Sequence, residues 1–220
     1  MNKKMESKFN IYSHSTKVIN IHDRVSFFRG QPYPEEKGQE WGPVYFSSTP
    51  KRNRWTPLIE DCGGSAYFGL DKQTAFFESF PTFREMDIRA NGYNFPIGYS
   101  ELIKMEMIEF CFKKDIKLID LTVSGAFLKH RVNRSITCSQ DLELSNEMAT
   151  EAFLLTDVDG IHYESKFGGK TAIVLFDRGS EVYNNFEVIQ RQSFYDYAIS
   201  NIEGLERELC IELINDIHNE

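Results

Sequence analysis

Arg29, Arg54, Tyr67, Glu78 and Ser165 are the residues whose types and surroundings could do chemistry. Guanidinium groups such as those of Arg29 and of the Arg52-Asn53-Arg54-Trp55 cluster bind phosphate oxygens in forked pairs and stay ionised. Glu78 follows Ala75-Phe76-Phe77 on an apolar stretch, where a buried carboxylate needs a partner. Ser165 closes the run Asp157-Val158-Asp159-Gly160-Ile161-His162-Tyr163-Glu164 ahead of Gly168-Gly169, a place from which a hydroxyl can donate to a ligand. Each has a commonplace alternative. The arginines suit a solvated charge or a structural ion pair, Tyr67 a half-buried strand aromatic, Glu78 an exposed helix end, and Ser165 a turn cap. His162 could act as a base, but no acidic or nucleophilic partner stands at a recognisable spacing, and it reads as a strand residue. The five histidines form no metal-binding pair, and neither a Gly-x-Ser-x-Gly elbow nor a Gly-x-x-x-x-Gly-Lys phosphate loop occurs.

These residues need elements to hold them. Residues 21–28 read as a strand entering a turn at Arg29-Gly30. Gln31 to Gly64 contains five of the seven prolines and reads as a long loop. Ser65 to Gly69 reads as a strand and Lys72 to Phe80 as a helix capped by Asp71, so the chain doubles back between Tyr67 and Glu78. Whether their side chains converge depends on register. Ile103 to Phe112 and Ile116 to Leu121 read as strands of a hairpin across Lys113-Lys114-Asp115. Ser145 is the expected cap of a helix running through Met148, Ala152 and Leu155. Gly160 to Tyr163 and Thr171 to Phe176 read as strands, the second of them central. Ile202, Leu205, Leu209, Leu213 and Ile217 form the stripe of an amphipathic helix.

The 220 residues, 41% hydrophobic and 14% aromatic, suffice for one core without a metal or disulfide staple. With 33 acidic and 25 basic residues the net charge is −8, which argues against general nucleic-acid binding. The longest apolar runs, such as Ala172 to Phe176, fall far short of the ~20 residues a membrane span requires. No signal-peptide pattern opens the sequence, so the expected compartment is the cytosol. Cys62, Cys111, Cys138 and Cys210 show no metal or Cys-x-x-Cys spacing and read as reduced structural thiols.

Five ordered segments resemble the RES domain family, the toxin components of bacterial toxin-antitoxin pairs. Phe28-Arg29 is similar to its early arginine, and Asn53-Arg54-Trp55-Thr56-Pro57 resembles its Gly-Arg-Trp-Asn segment with Asn53 for glycine and Thr56 for asparagine. Ala66-Tyr67-Phe68-Gly69 through Thr74-Ala75-Phe76-Phe77-Glu78 resembles its Tyr-then-Ala-x-x-Glu block, and Leu118-Ile119-Asp120-Leu121 follows in order. Asp159 to Ser165 resembles its Asp-Gly-Ile-x-Tyr-x-Ser block, before the apolar strand Ala172 to Phe176. The resemblance covers residues 24–178, with 1–23 an N-terminal extension and 179–220 a C-terminal extension carrying the amphipathic helix.

The resemblance implies a mixed α/β, ADP-ribosyltransferase-like single domain with a split antiparallel sheet and peripheral helices. It implies cleavage of the nicotinamide-ribose bond of NAD, by water as a glycohydrolase or by phosphate as a phosphorylase. Under it Glu78, Ser165 and Arg29 are catalytic, and Arg29, Arg54, Tyr67 and Ser165 bind substrate. NAD is the substrate rather than a cofactor, inorganic phosphate is a conceivable co-substrate, and no metal is called for. The expected partner is a helix-turn-helix antitoxin, with no direct contact to nucleic acid or membrane; a homo-oligomer stays open. A protein ADP-ribosyltransferase and a non-catalytic NAD-binding module are the alternatives.

Overall fold

In the computed structural model the apolar run Thr171–Phe176 is a strand buried on both faces, and the other elements are laid out around it. The structure describes residues 8–9, 11, 16–19, 25–33, 46, 53–59, 63–79, 95–123, 126, 136, 142–165, 170–178, 185–209 and 211–214. Within these residues the strands are β1 (Thr16–Ile19), β2 (Phe27–Pro32), β3 (Ser65–Gly69), β4 (Phe95–Gly98), β5 (Met105–Phe112), β6 (Ile116–Asp120), β7 (Gly160–Glu164), β8 (Thr171–Phe176), β9 (Phe186–Ser193) and β10 (Ile211–Ile214). The helices are α1 (Lys72–Ser79), α2 (Tyr99–Leu102), α3 (Glu143–Leu154), α4 (Phe194–Ser200) and α5 (Ile202–Leu209).

Eight strands form one sheet in the order β1-β6-β7-β8-β3-β2-β5-β9, and β10 pairs with β4 in a separate two-stranded sheet. The fold is mixed α/β, as the sequence leads one to expect. The large sheet has a seam. Among the described residues β2 and β3 are registered only at Phe28 and Gly69, whereas β3 is zipped to β8 from Ser65 to Gly69 and β2 to β5 from Phe27 to Pro32. Two sub-sheets therefore meet at one point. The pairing is not antiparallel throughout, because β6 and β7 run parallel.

Side-chain alternation explains the layers. On one face Ala172, Val174 and Phe176 of β8 join Ile161 and Tyr163 of β7 and Ile119 of β6 under Met148, Ala149 and Ala152 of α3. Farther along the same face, α1 and α4 bury Phe76, Phe77, Phe194 and Ala198 with Met107 of β5. Ile173 and Leu175 point the other way, into a cluster with Phe27, Phe68, Ile108, Phe110, Phe112 and Phe186. There Phe68 stacks on Phe186 at 5.7 Å and meets Phe110 edge-on at 5.8 Å. Each such side chain contributes about 1.5–3 kcal/mol of burial, so the aromatic cluster holds the two sub-sheets together where backbone pairing lapses.

Four local expectations are corrected. β5 and β6 do not form a hairpin: β5 is flanked by β2 and β9, β6 by β1 and β7, and the chain crosses between sub-sheets at Lys113–Asp115. β2 runs straight through Arg29-Gly30 instead of turning there, because Gly30 serves close packing rather than a bend. Ser145 does not cap α3; it is buried in the first turn and its Oγ donates to the Leu142 carbonyl at 2.9 Å. The C-terminal stripe does not stay helical. The chain leaves α5 after Leu209, and Leu213 lies on β10, where Ile211 and Leu213 follow the period of two of a strand. Ile217 lies outside the described residues. β9 and α4 add an edge strand and a helix that no sequence signal had announced; Ser193 caps α4 by accepting from the Asp196 amide at 3.3 Å.

Candidate functional site

Glu78 owes its place to the seating of α1. Asp71 caps the helix as expected, its Oδ1 accepting from the Thr74 amide at 2.8 Å. The helix buries Thr74 to Phe77, with the Phe76 ring 5.2 Å from Phe194 and 5.6 Å from Tyr197. Two glycines make room beneath it. A Cβ on Gly69 of β3 would run into the Ala75 amide nitrogen and the Asp71 carbonyl, and one on Gly30 of β2 would overlap Ser79 Oγ and the Phe194 ring. Gly30 and Gly69 lie on either side of the seam, so α1 bridges the two sub-sheets and presents Glu78 from its last turn, half-buried.

Ser165 arrives from the other side, at the end of β7. Its amide donates to the Lys170 carbonyl at 2.7 Å, closing the connection into β8. Its buried Oγ donates to Glu78 Oε1 at 2.6 Å, across 87 residues of sequence. A hydrogen bond to a carboxylate is worth about 1.5–3 kcal/mol, and this one fixes the rotamer of the half-buried acid.

Arg29 approaches the seam from the opposite face. Alternation along β2 places its side chain with Phe27, away from Phe28 and Gly30. The guanidinium stands over the Phe68 ring at 5.8 Å, and Nη1 donates to the Tyr67 carbonyl at 3.5 Å. Tyr67 Oη in turn accepts from the Trp55 amide at 2.8 Å, and the fully buried Trp55 ring lies 5.5 Å from that of Tyr163. Arg54, next to Trp55, donates from Nη1 to the Ile136 carbonyl at 2.7 Å. Thr56 and Ser65 share a hydroxyl–hydroxyl bond of 2.8 Å that ties this segment to the start of β3.

Asn146 is a residue of this region that no sequence motif announces. From the first turns of α3 its Nδ2 donates to the carbonyls of Asn53, Arg54 and Thr56 at 2.8, 3.0 and 3.0 Å. Asn146 is fully buried. Its signal was the one used for Glu78, a polar side chain on the buried face of an apolar helix, but as a neighbour of Ser145 it was absorbed into an expected cap.

His162 is buried on β7 with Nδ1 3.0 Å from Asp120 Oδ1. Burial holds the imidazole below its usual range and outweighs the pull of Asp120. Burial acts to raise Asp120, but bonds from the Thr122 hydroxyl and amide at 2.6 and 3.0 Å, with the charges of His162 and Lys17, bring it below the ordinary carboxylate range. The pair is a structural junction between β6 and β7. The partner that spacing could not reveal comes from 42 residues away.

Glu78 with Ser165 and Arg29 with Tyr67 are thus joined directly, and Trp55 links Tyr67 to the segment that carries Arg54. Among the described residues no group of His, Cys, Asp and Glu is arranged to hold a metal ion, and no helix is long and apolar enough to cross a membrane. The Cys111 thiol donates to Glu187 Oε2 at 3.8 Å; Cys62, Cys138 and Cys210 lie outside the described residues.

No protein-family model and no curated protein matches the sequence. The fold does have a counterpart. A chain in the crystal structure of the M. tuberculosis MbcT–MbcA toxin–antitoxin complex superposes with a TM-score of 0.55 at 13% identity, over 80% of this chain and 93% of that one. At that identity the likeness is one of fold.

Proposed function

We propose that this protein is the NAD-cleaving toxin of a toxin–antitoxin pair, a RES-type enzyme that acts in the cytosol. The observation that carries the reading is the bond from Ser165 Oγ to Glu78 Oε1 at 2.6 Å, which joins two of the five segments the resemblance rests on. The fold shared with a chain of a toxin–antitoxin complex supports it.

Nicotinamide leaves NAD from a cationic pyridinium. The C1′–N bond breaks with its electron pair passing to the ring nitrogen, so neutral nicotinamide departs without a general acid. Positive charge then develops on the ribose, and the barrier lies there. Glu78, fixed by Ser165, places a carboxylate against that charge with no reorganisation at the moment of reaction. It also offers an acceptor to a ribose hydroxyl or to the incoming water. An oxygen of water, or of inorganic phosphate, bonds to C1′; with water the surplus proton passes to solvent. Arg54, together with Arg29 reaching through the seam where β2 and β3 part, holds the pyrophosphate by forked guanidinium contacts, and the Tyr67 ring flanks the nicotinamide. Ser165 orients and is not a nucleophile. A basic helix-turn-helix antitoxin suits the net charge of −8.

The test is direct. Purified protein incubated with NAD, with and without inorganic phosphate, should release nicotinamide measurable by chromatography, and Glu78→Ala should not. Free ADP-ribose identifies water as acceptor, and a phosphorylated sugar identifies phosphate. Nicotinamide release no greater than that of Glu78→Ala in either buffer overturns the reading, and labelled ADP-ribose appearing on protein would move it to a protein-modifying transferase.

A further inference from the structure

We infer that Asn146 is a positioning residue for substrate binding: one buried amide sets the backbone turn that carries Arg54 and the Trp55 contact to Tyr67. The functional half of this inference rests on the NAD reading; the structural half does not.

The carbonyls of residues 53, 54 and 56 converge on one nitrogen because the chain there wraps around the end of the Asn146 side chain. An amide nitrogen carries two hydrogens, so three acceptors within 3.0 Å share them. This crowd of acceptors also settles the orientation of the amide, since turning it over would set its oxygen against three others. Oδ1 itself is buried without a hydrogen-bond partner among the described residues. That arrangement is costly. An apolar helix residue would avoid the cost but would leave the three carbonyls without their donor, so the position serves the turn rather than the helix.

α3 holds the same segment a second time. Thr150, one helical turn on, accepts from the Leu58 amide at 2.8 Å through Oγ1 and donates to the Asn146 carbonyl at 2.7 Å. The backbone of 53–58 is therefore indexed to α3, and two groups inherit their places from it. One is the Arg54 side chain, braced on the Ile136 carbonyl. The other is the Trp55 amide, whose bond to Tyr67 Oη fixes the direction of the tyrosine ring. In the proposed site these two groups hold the dinucleotide, while the charge on the ribose faces Glu78, so loss of Asn146 falls on binding and not on the charge-stabilising step.

Asn146→Asp and Asn146→Ala separate the donor from the volume it fills. Aspartate keeps the shape and presents an acceptor where a donor is needed, so it should do at least as much harm as alanine. Two measurements decide. Amide hydrogen exchange at Trp55 should accelerate about tenfold or more in both variants while Ile173–Leu175 of β8 stay protected. In nicotinamide release the KM for NAD should rise about tenfold with kcat within about threefold of wild type. Asn146→Ser, which keeps one donor, should restore part of both, and gives the same readouts if the other variants do not fold. Trp55 exchange unchanged in a folded variant overturns the clamp; KM unchanged, or kcat falling alone, overturns its role in binding. If wild-type protein releases no nicotinamide, the NAD reading falls and with it the binding role, while the exchange measurement still decides the clamp.

Discussion

Glu78→Gln removes a charge and keeps the shape, which makes it the cleanest probe of how the site would work. Glu78 is half-buried, so an effective dielectric near 20 applies rather than that of a dry interior. At a separation of ~4 Å from the ribose cation, a unit charge contributes about 4 kcal/mol, or ~10³ in rate if the interaction arises only in the transition state. The glutamine carbonyl still accepts from Ser165, so the rotamer survives. The expected result is a kcat lowered by about 10³ with KM changed only a few-fold and the melting temperature close to wild type. Ser165→Ala removes one bond to a carboxylate, worth about 1.5–3 kcal/mol, and should lower kcat by about 10- to 100-fold. Because Ser165 acts by orienting that carboxylate, the double variant should be no slower than Glu78→Gln alone. The assay is nicotinamide release at saturating NAD, with and without phosphate. Retention of more than about a tenth of wild-type kcat by Glu78→Gln, or losses that multiply in the double variant, would refute the electrostatic argument.

Three further outcomes test the framework. Gly69→Ala forces a Cβ into the backbone of α1 and should cost about 1–3 kcal/mol in urea unfolding, with turnover lost as Glu78 moves; an unchanged midpoint would refute the seating of the helix. Asp71→Ala removes the cap on Thr74 and should cost about 1 kcal/mol in the same measurement. The third concerns pH. His162 is held low in the folded chain by burial, so the unfolded chain binds a proton near pH 6.5 before the folded one does. Its stabilising effect is whole above about pH 6.5 and is lost as the pH falls from there toward the folded value, at no more than about 1.4 kcal/mol per pH unit. Asp120, also held low, loses its share only below about pH 4. Melting temperature should drop between pH 7 and 5.5, and His162→Gln should flatten that slope; equal slopes would count against the assignment.

What could be read from the sequence was what neighbours in the chain decide. Ser65 to Gly69, the Asp71 cap and the helix to Ser79 are specified by local signals and appear where expected. The same is true of β7 and of β8, whose unbroken apolar run demanded cover on both faces. Gly30 was misread because a glycine that opens space for a packed helix looks, in sequence, like one that turns the chain. The supposed hairpin at Lys113–Asp115 failed for a related reason: adjacent strands tell nothing of whether other strands already occupy their edges. The Glu78–Ser165 meeting could be anticipated as a juxtaposition of motifs but not as a bond, since it depends on α1 sitting across the seam. Asn146 was hidden most deeply, because its three acceptors are backbone atoms some ninety residues away.

The eight-residue α1 is too short to persist in water without the surfaces on which it rests. It also spans the place where the two sub-sheets share a single registered pair. Order at Glu78 is therefore borrowed from contacts that can loosen while β7, β8 and β3 remain zipped. Warming should silence such a protein before it denatures it, with inactivation running several degrees ahead of the loss of sheet signal.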